Sequence, residues 1–87
     1  MALFTIRYSK AATRALMRMP RNNAELIRGK VRDLADEPRA RHANVSKLKG
    51  RDQFRLRVED WRVLFLIDNA AETIRVRLMA PRGSAYE

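Results

Sequence analysis

An α+β fold is predicted by three features of the sequence: two helical apolar stripes, a later switch to period-two alternation, and short polar turns between the alternating runs. The expected order is β-α-α-β-β-β, with a helical hairpin packed on one face of a small antiparallel sheet. Residues 1–87 are expected to form a single domain, since a chain of 87 residues supports one modest core.

The first strand is residues 3–8, LFTIRY, rich in β-branched and aromatic types. Ser9 follows as an N-cap. Beyond it Ala11, Ala12, Ala15, Leu16 and Met19 recur at helical spacing while Arg14 and Arg18 take the opposite side, and Pro20 ends the segment. A second helix opens with Asn22 as N-cap and Glu25 three residues on, a capping-box pattern. Its apolar stripe is Ala24, Ile27, Val31 and Leu34, with Arg28 and Arg32 one turn apart on the outer side, and Asp36-Glu37-Pro38 closes it. Two short helices joined by a tight turn must lay their stripe on something, and a sheet is what remains.

Residues 39–52 show no periodicity and contain Asn44 and Gly50, so they read as a loop. From Gln53 the period becomes two: Phe54, Leu56 and Val58 alternate with Arg55 and Arg57. Glu59-Asp60 is a two-residue connection without the glycine such turns favour. Residues 61–67 are the most apolar run and predict a central strand. Residues 69–72 turn the chain, and residues 73–79 alternate again, Ile74, Val76 and Leu78 against Arg75 and Arg77. Three strands joined by short turns make an antiparallel meander with the helices over one face.

Composition narrows the function. The apolar fraction, 46%, suits a folded chain. The absence of cysteine excludes disulfides, thiolate metal sites and a cysteine nucleophile together. A zinc site built on the single histidine, His42, would need carboxylates at ligand spacing, and none cluster; neither metal nor cofactor is expected. No apolar run is long enough to span a membrane, and the first ten residues lack a basic n-region, so a cytoplasmic protein is expected. Charge is the strongest signal: 19 Lys and Arg against 10 Asp and Glu, net +9. Arginine dominates, and its planar fork suits phosphate. Nucleic acid is the first partner to consider, an acidic protein the second, an anionic membrane a distant third.

If the helices cover the apolar face, the other face carries Arg55, Arg57, Arg75 and Arg77, with Arg62 interrupting the central strand. Arginines on neighbouring strands repel, and such a face makes best sense when a polyanion meets it. Residues 39–52 add Arg39, Arg41, Lys47, Lys49 and Arg51, suited to sequence-independent, salt-sensitive contact with an RNA backbone. The tail APRGSAYE adds Arg82 and, four residues later, Tyr86. His42 reads as a solvated loop residue and Trp61 as a packing residue.

The stretch KLKGRDQFRLRVEDWRVLFLID, residues 47–68, resembles the centre of the RelE/ParE toxin superfamily, closest to the RelE-type mRNA interferases. The shared features are the K-L-K-G segment, the strand with basic residues at alternate positions, the aromatic-Arg pair Trp61-Arg62, and the closing Arg82 and Tyr86. The resemblance covers essentially the whole chain. It implies the toxin of a type II toxin–antitoxin system, a ribosome-dependent endoribonuclease that cuts mRNA in the decoding site, with Arg55, Arg57, Arg62, Arg82 and Tyr86 as catalytic residues. Many relatives carry lysine where Arg55 and Arg57 stand, and arginine is the poorer proton donor because it does not deprotonate in proteins.

The chemistry is consistent with those side chains. RNA carries its own nucleophile, the 2′-hydroxyl, and a protein need only align it, remove its proton and neutralise the developing charge. Neither tyrosine nor arginine is matched to pH 7 for proton transfer, so negligible cleavage of free RNA is expected, with the ribosome supplying the geometry. Two other readings remain open: a DNA gyrase inhibitor resembling ParE, and a non-catalytic RNA-binding module. A toxin of either sort implies an acidic antitoxin, partly disordered when free and bound in a hetero-oligomer. Arg14, Arg18, Arg28 and Arg32 are its expected contacts, and the 70S ribosome and mRNA are the other partners.

Overall fold

The computed structural model describes residues 3–48 and 53–81. Seven elements follow one another: β1 (Thr5–Tyr8), α1 (Lys10–Arg18), α2 (Arg21–Asp36), β2 (Val45–Lys47), β3 (Gln53–Val58), β4 (Trp61–Asp68) and β5 (Thr73–Pro81). The five strands form one sheet in the order β1-β5-β4-β3-β2.

Ser9 starts α1 as the sequence predicts. Its Oγ accepts a hydrogen bond from the Ala12 N–H at 3.0 Å, and its hydroxyl donates to the Arg77 carbonyl at 2.6 Å, pinning the helix start to β5. Met19 is extended, with φ −81° and ψ 161°, as the residue before a proline prefers. The second helix starts earlier than its capping-box pattern suggests. Pro20 stands at its N-cap, no side chain caps it, and Glu25 instead pairs with Arg21 at 3.4 Å. Proline suits this start because its ring presets φ and it has no N–H to leave unpaired.

The core lies between the helices and one sheet face. Ala12 and Leu16 of α1, and Ala24, Ile27, Val31, Leu34 and Ala35 of α2, are buried with Leu56, Val58, Val63, Phe65, Ile74, Val76 and Met79 of the strands. Every residue of the predicted α2 stripe is buried, whereas Ala11 of the predicted α1 stripe is exposed. Phe54 and Phe65 sit opposite one another in the β3–β4 ladder and stack with centroids 5.5 Å apart. Trp61 is half-buried against the same core.

Three details depart from the sequence expectation. The sheet is mixed, because β1 pairs parallel to β5 while the other strands are antiparallel. Residues 45–47, expected as loop, form β2. Asn44 turns the chain at φ 65° and its carbonyl accepts from the Arg57 N–H at 2.9 Å, so the short strand is laid alongside β3. Finally, the β4–β5 register shifts at Leu64/Phe65: Leu64 pairs with Leu78 and Phe65 with Val76. Arg77 is the extra residue of this bulge. Leu78 therefore joins Leu64 on the open face, and Met79 takes the core position that simple alternation assigns to Leu78.

Glu59 occupies the β3–β4 turn at φ 53°, a left-handed conformation that costs an L side chain about 1–2 kcal/mol. Glu59→Gly is expected to raise stability by about 0.5–1 kcal/mol after the entropy that glycine adds to the unfolded chain. A chemical-denaturation midpoint unchanged or lowered by this substitution would contradict the strain assigned to the turn.

Candidate nucleic-acid interface

Among the described residues helices cover one face of the sheet, and strand alternation decides which side chains the other face displays. On β3 these are Gln53, Arg55 and Arg57; on β4 they are Arg62, Leu64, Leu66 and Asp68. The register fixes the neighbours. Arg57 lies directly opposite Arg62, which in turn faces Ala80, while Arg55 lies opposite Leu64 and, on its other side, Ser46 of β2. Three arginines, Arg55, Arg57 and Arg62, are thus brought onto two adjacent strands.

Arg57 is exposed, whereas Arg55 and Arg62 are half-buried. Their positions leave a hollow of about 140 Å³ lined by Asn44, Val45, Ser46, Arg55 and Arg57. Its polar lining combines the two arginines with a hydroxyl and an amide, which suits a phosphodiester with its ribose. Asn44 and Ser46 were not legible as site residues, because they belong to the segment that reads as loop. Once β2 is known to pair with β3, the alternation places Ser46 beside Arg55.

Arg75 and Arg77 lie apart from this group, on β5, across a band of half-buried leucines formed by Leu64, Leu66 and Leu78. Their neighbour is Arg7 of β1, which pairs with Arg75 in the parallel ladder. Arg7, Tyr8, Ser9, Arg75, Val76 and Arg77 line a groove of about 280 Å³. Asp68 moderates the charge there: its Oδ2 accepts from Arg75 Nε at 3.3 Å and its Oδ1 from the Ala71 N–H at 3.0 Å. The Ala71 N–H first, and Arg75 with it, hold the Asp68 carboxyl below its ordinary value, against an opposing desolvation. The open face therefore carries two basic groups separated by an apolar band, where the sequence suggests one continuous arginine surface.

The remaining residues are distributed as follows. Arg39 and Arg41 are exposed in the connection after α2. Lys47 pairs with Phe54, so its register position belongs to the helix-covered face at the sheet edge. Lys49, Arg51, Arg82 and Tyr86 lie outside the described residues. Arg14, Arg18, Arg28 and Arg32 are exposed on the helix layer, opposite the open face. Tyr8 is half-buried beneath that layer. Burial pushes its phenol above the ordinary value, with Arg28 and Arg32 pulling the other way. Among the described residues no group of three or more His, Asp, Glu or Cys gathers, and no helix is long and apolar enough to cross a membrane.

Residues 6–82 match the model of a protein family described as the ParE toxin of the parDE type II toxin–antitoxin system. No curated protein sequence matches the chain. Among solved structures it is similar to the archaeal RelE–RelB complex from Pyrococcus horikoshii OT3. That match has a TM-score of 0.82 and 26% identity, over 95% of this chain and 99% of that one. It is also similar to the RelBE2 toxin–antitoxin complex of Mycobacterium tuberculosis (TM-score 0.76, 23% identity, 97% of each chain covered). A third likeness is to the isolated RelE toxin of E. coli (TM-score 0.79, 15% identity, 94% of this chain and 87% of that one). The last two are too distant in sequence to show more than the fold.

The facing pair Arg57 and Arg62 costs stability, because like charges directly opposite in a ladder destabilise it by a few tenths of a kcal/mol to about 1 kcal/mol. Arg57→Thr is expected to raise the melting temperature of the isolated protein and, if the face meets a polyanion, to weaken retention on a heparin column. A variant that lost both stability and retention would show Arg57 to be a structural residue.

Proposed function

The chain belongs to the ParE toxin family of type II toxin–antitoxin systems, and we propose that, like the RelE-type toxins it resembles, it is a ribosome-dependent endoribonuclease cutting mRNA in the decoding site. The observation that carries this reading is the convergence of Arg55, Arg57 and Arg62 beside a polar hollow on the uncovered sheet face. Three cations on two strands, two of them directly opposed, match a scissile phosphate, whose negative charge builds as the 2′-oxygen attacks. The likeness to the RelE toxin of the Pyrococcus horikoshii RelE–RelB complex supports the same reading.

The proposed step is transesterification. The 2′-hydroxyl loses its proton, its oxygen bonds to phosphorus, and the bond to the 5′-oxygen breaks as that oxygen takes up a proton. The products are a 2′,3′-cyclic phosphate and a 5′-hydroxyl. Arg55, Arg57 and Arg62 neutralise the pentacoordinate phosphorane, Arg82 adds charge, and Tyr86 is the group best suited to proton transfer. Pro81, which precedes Arg82 in the chain, pairs with Trp61, the neighbour of Arg62. The protein's contribution is charge stabilisation, and alignment of the 2′-oxygen with the leaving group comes from the ribosome-bound message.

Primer extension on a defined mRNA in stalled 70S ribosomes tests the reading. Wild type is expected to cut in the decoding site and to leave the same RNA intact without ribosomes. Arg62→Ala, Arg82→Ala and Tyr86→Ala are each expected to lose activity by about 10²-fold. An intact message with wild type would end the nuclease proposal.

The family match itself favours a second reading, since ParE toxins poison DNA gyrase and need no nuclease residues. Gyrase-dependent DNA breaks with an uncut message would establish it.

In either case the partner is an acidic antitoxin. The similar fold of the RelE–RelB complex from Pyrococcus horikoshii supports an antitoxin partner, and the exposed Arg14, Arg18, Arg28 and Arg32 are its proposed contacts. Replacing all four by serine is expected to weaken antitoxin binding by at least tenfold in calorimetric titration. Unchanged affinity would move the interface elsewhere.

A further inference from the structure

Where α2 meets the β2–β3 edge, the two layers part around a cleft of about 260 Å³. Lys30, Asp33, Arg41, His42, Asn44 and Arg57 line it above the buried Leu34. Asn44 and Arg57 also line the hollow beside Arg55, so cleft and hollow adjoin at the β2–β3 edge, between the helix layer and the open sheet face. Three cations against the single carboxylate of Asp33 leave the cleft net positive.

His42 is held in place here. The sequence reads it as a solvated loop residue, and it does lie in the connection after α2, half-buried, with Nε2 2.7 Å from the Glu37 carbonyl oxygen. A carbonyl oxygen only accepts, so Nε2 carries a proton and donates, and Nδ1 is the ring nitrogen left for a ligand. In the neutral ring Nδ1 is an acceptor. A groove that offers cations and, beside the Asp33 carboxylate, a ring acceptor held in place calls for a ligand with an anion and a nearby hydroxyl donor. A ribonucleotide has both, and a deoxyribonucleotide lacks the hydroxyl.

We propose that this cleft is a ribonucleotide subsite: Lys30, Arg41 and Arg57 hold a backbone phosphate, and His42 Nδ1 accepts a hydrogen bond from the 2′-hydroxyl of the same strand. The groove then conducts single-stranded RNA from α2 toward Arg55 and Arg62, and His42 distinguishes RNA from DNA. The assignment rests on the reading of RNA as ligand and requires no cleavage.

Fluorescence anisotropy with the full chain tests it, using a single-stranded oligoribonucleotide and the deoxyribonucleotide of the same base sequence at one salt concentration. Wild type is expected to prefer RNA by about three- to tenfold, the size that one net hydrogen bond supports. His42→Phe is expected to bring the ratio close to one, and Arg41→Ser to weaken both ligands while leaving the ratio unchanged. Because the bond from His42 to Glu37 also braces the loop, the imidazole NMR signals of wild-type His42 give a reading that no substitution disturbs. At saturation they are expected to shift further with the oligoribonucleotide than with its deoxy counterpart, because only the first donates to Nδ1. Equal wild-type affinities, a preference that survives His42→Phe, or identical imidazole responses would each overturn the subsite. An RNA preference that depends on His42 in a protein that leaves ribosome-bound mRNA uncut would refute the nuclease reading alone.

Discussion

Burial of the α2 stripe, Ala24, Ile27, Val31 and Leu34, against one face of the sheet is the interaction on which the rest of the molecule depends. Two helices are enough to cover one face of five short strands, and no third layer lies over the other among the described residues. Apolar side chains on the covered face remove area from water at roughly 25 cal/mol per Å², and they supply the stability that the uncovered face does not. That asymmetry divides the labour. Residues of one strand parity hold the fold, and residues of the other parity are left to meet a ligand.

The uncovered face uses that freedom at some cost. Arg57 facing Arg62, and Arg7 facing Arg75, are arrangements that a sheet selected for stability alone would avoid. Asp68 relieves the second pair by binding Arg75. The leucine band between the two groups keeps their fields apart and gives the face an apolar centre, where bases rather than phosphates would rest. The bulge at Arg77 places Leu78 in that band, so a local irregularity of β5 shapes the surface as much as the alternation around it does.

Much of this was legible in the residues. The α2 stripe, the Ser9 cap and the alternation of Arg55 and Arg57 with Leu56 and Val58 are local patterns with periods of 3.6 or two, and each reappears in the fold. What stayed hidden depends on partners distant in sequence or on backbone irregularity. Nothing in TIRY says that β1 pairs parallel to β5, so Arg7 gave no sign of facing Arg75. A three-residue strand has no period to detect, which concealed β2 and with it Ser46 and Asn44. One extra residue in β5 exchanged the roles of Leu78 and Met79 without altering the composition of the segment. The contact of His42 with a main-chain carbonyl stayed hidden for a similar reason, since nothing in the loop sequence names its partner.

The parallel ladder between β1 and β5 joins segments sixty-eight residues apart, Thr5 with Thr73 at one end and Tyr8 with Val76 at the other. Contacts of such separation form late, because the intervening chain must be ordered before they repay the loop entropy. During synthesis β1 emerges early and waits for β5, which seats it and flanks β4. Among the described strands β5 is the last to be made, so the sheet face that displays Arg55, Arg57 and Arg62 gains its full support only late in synthesis.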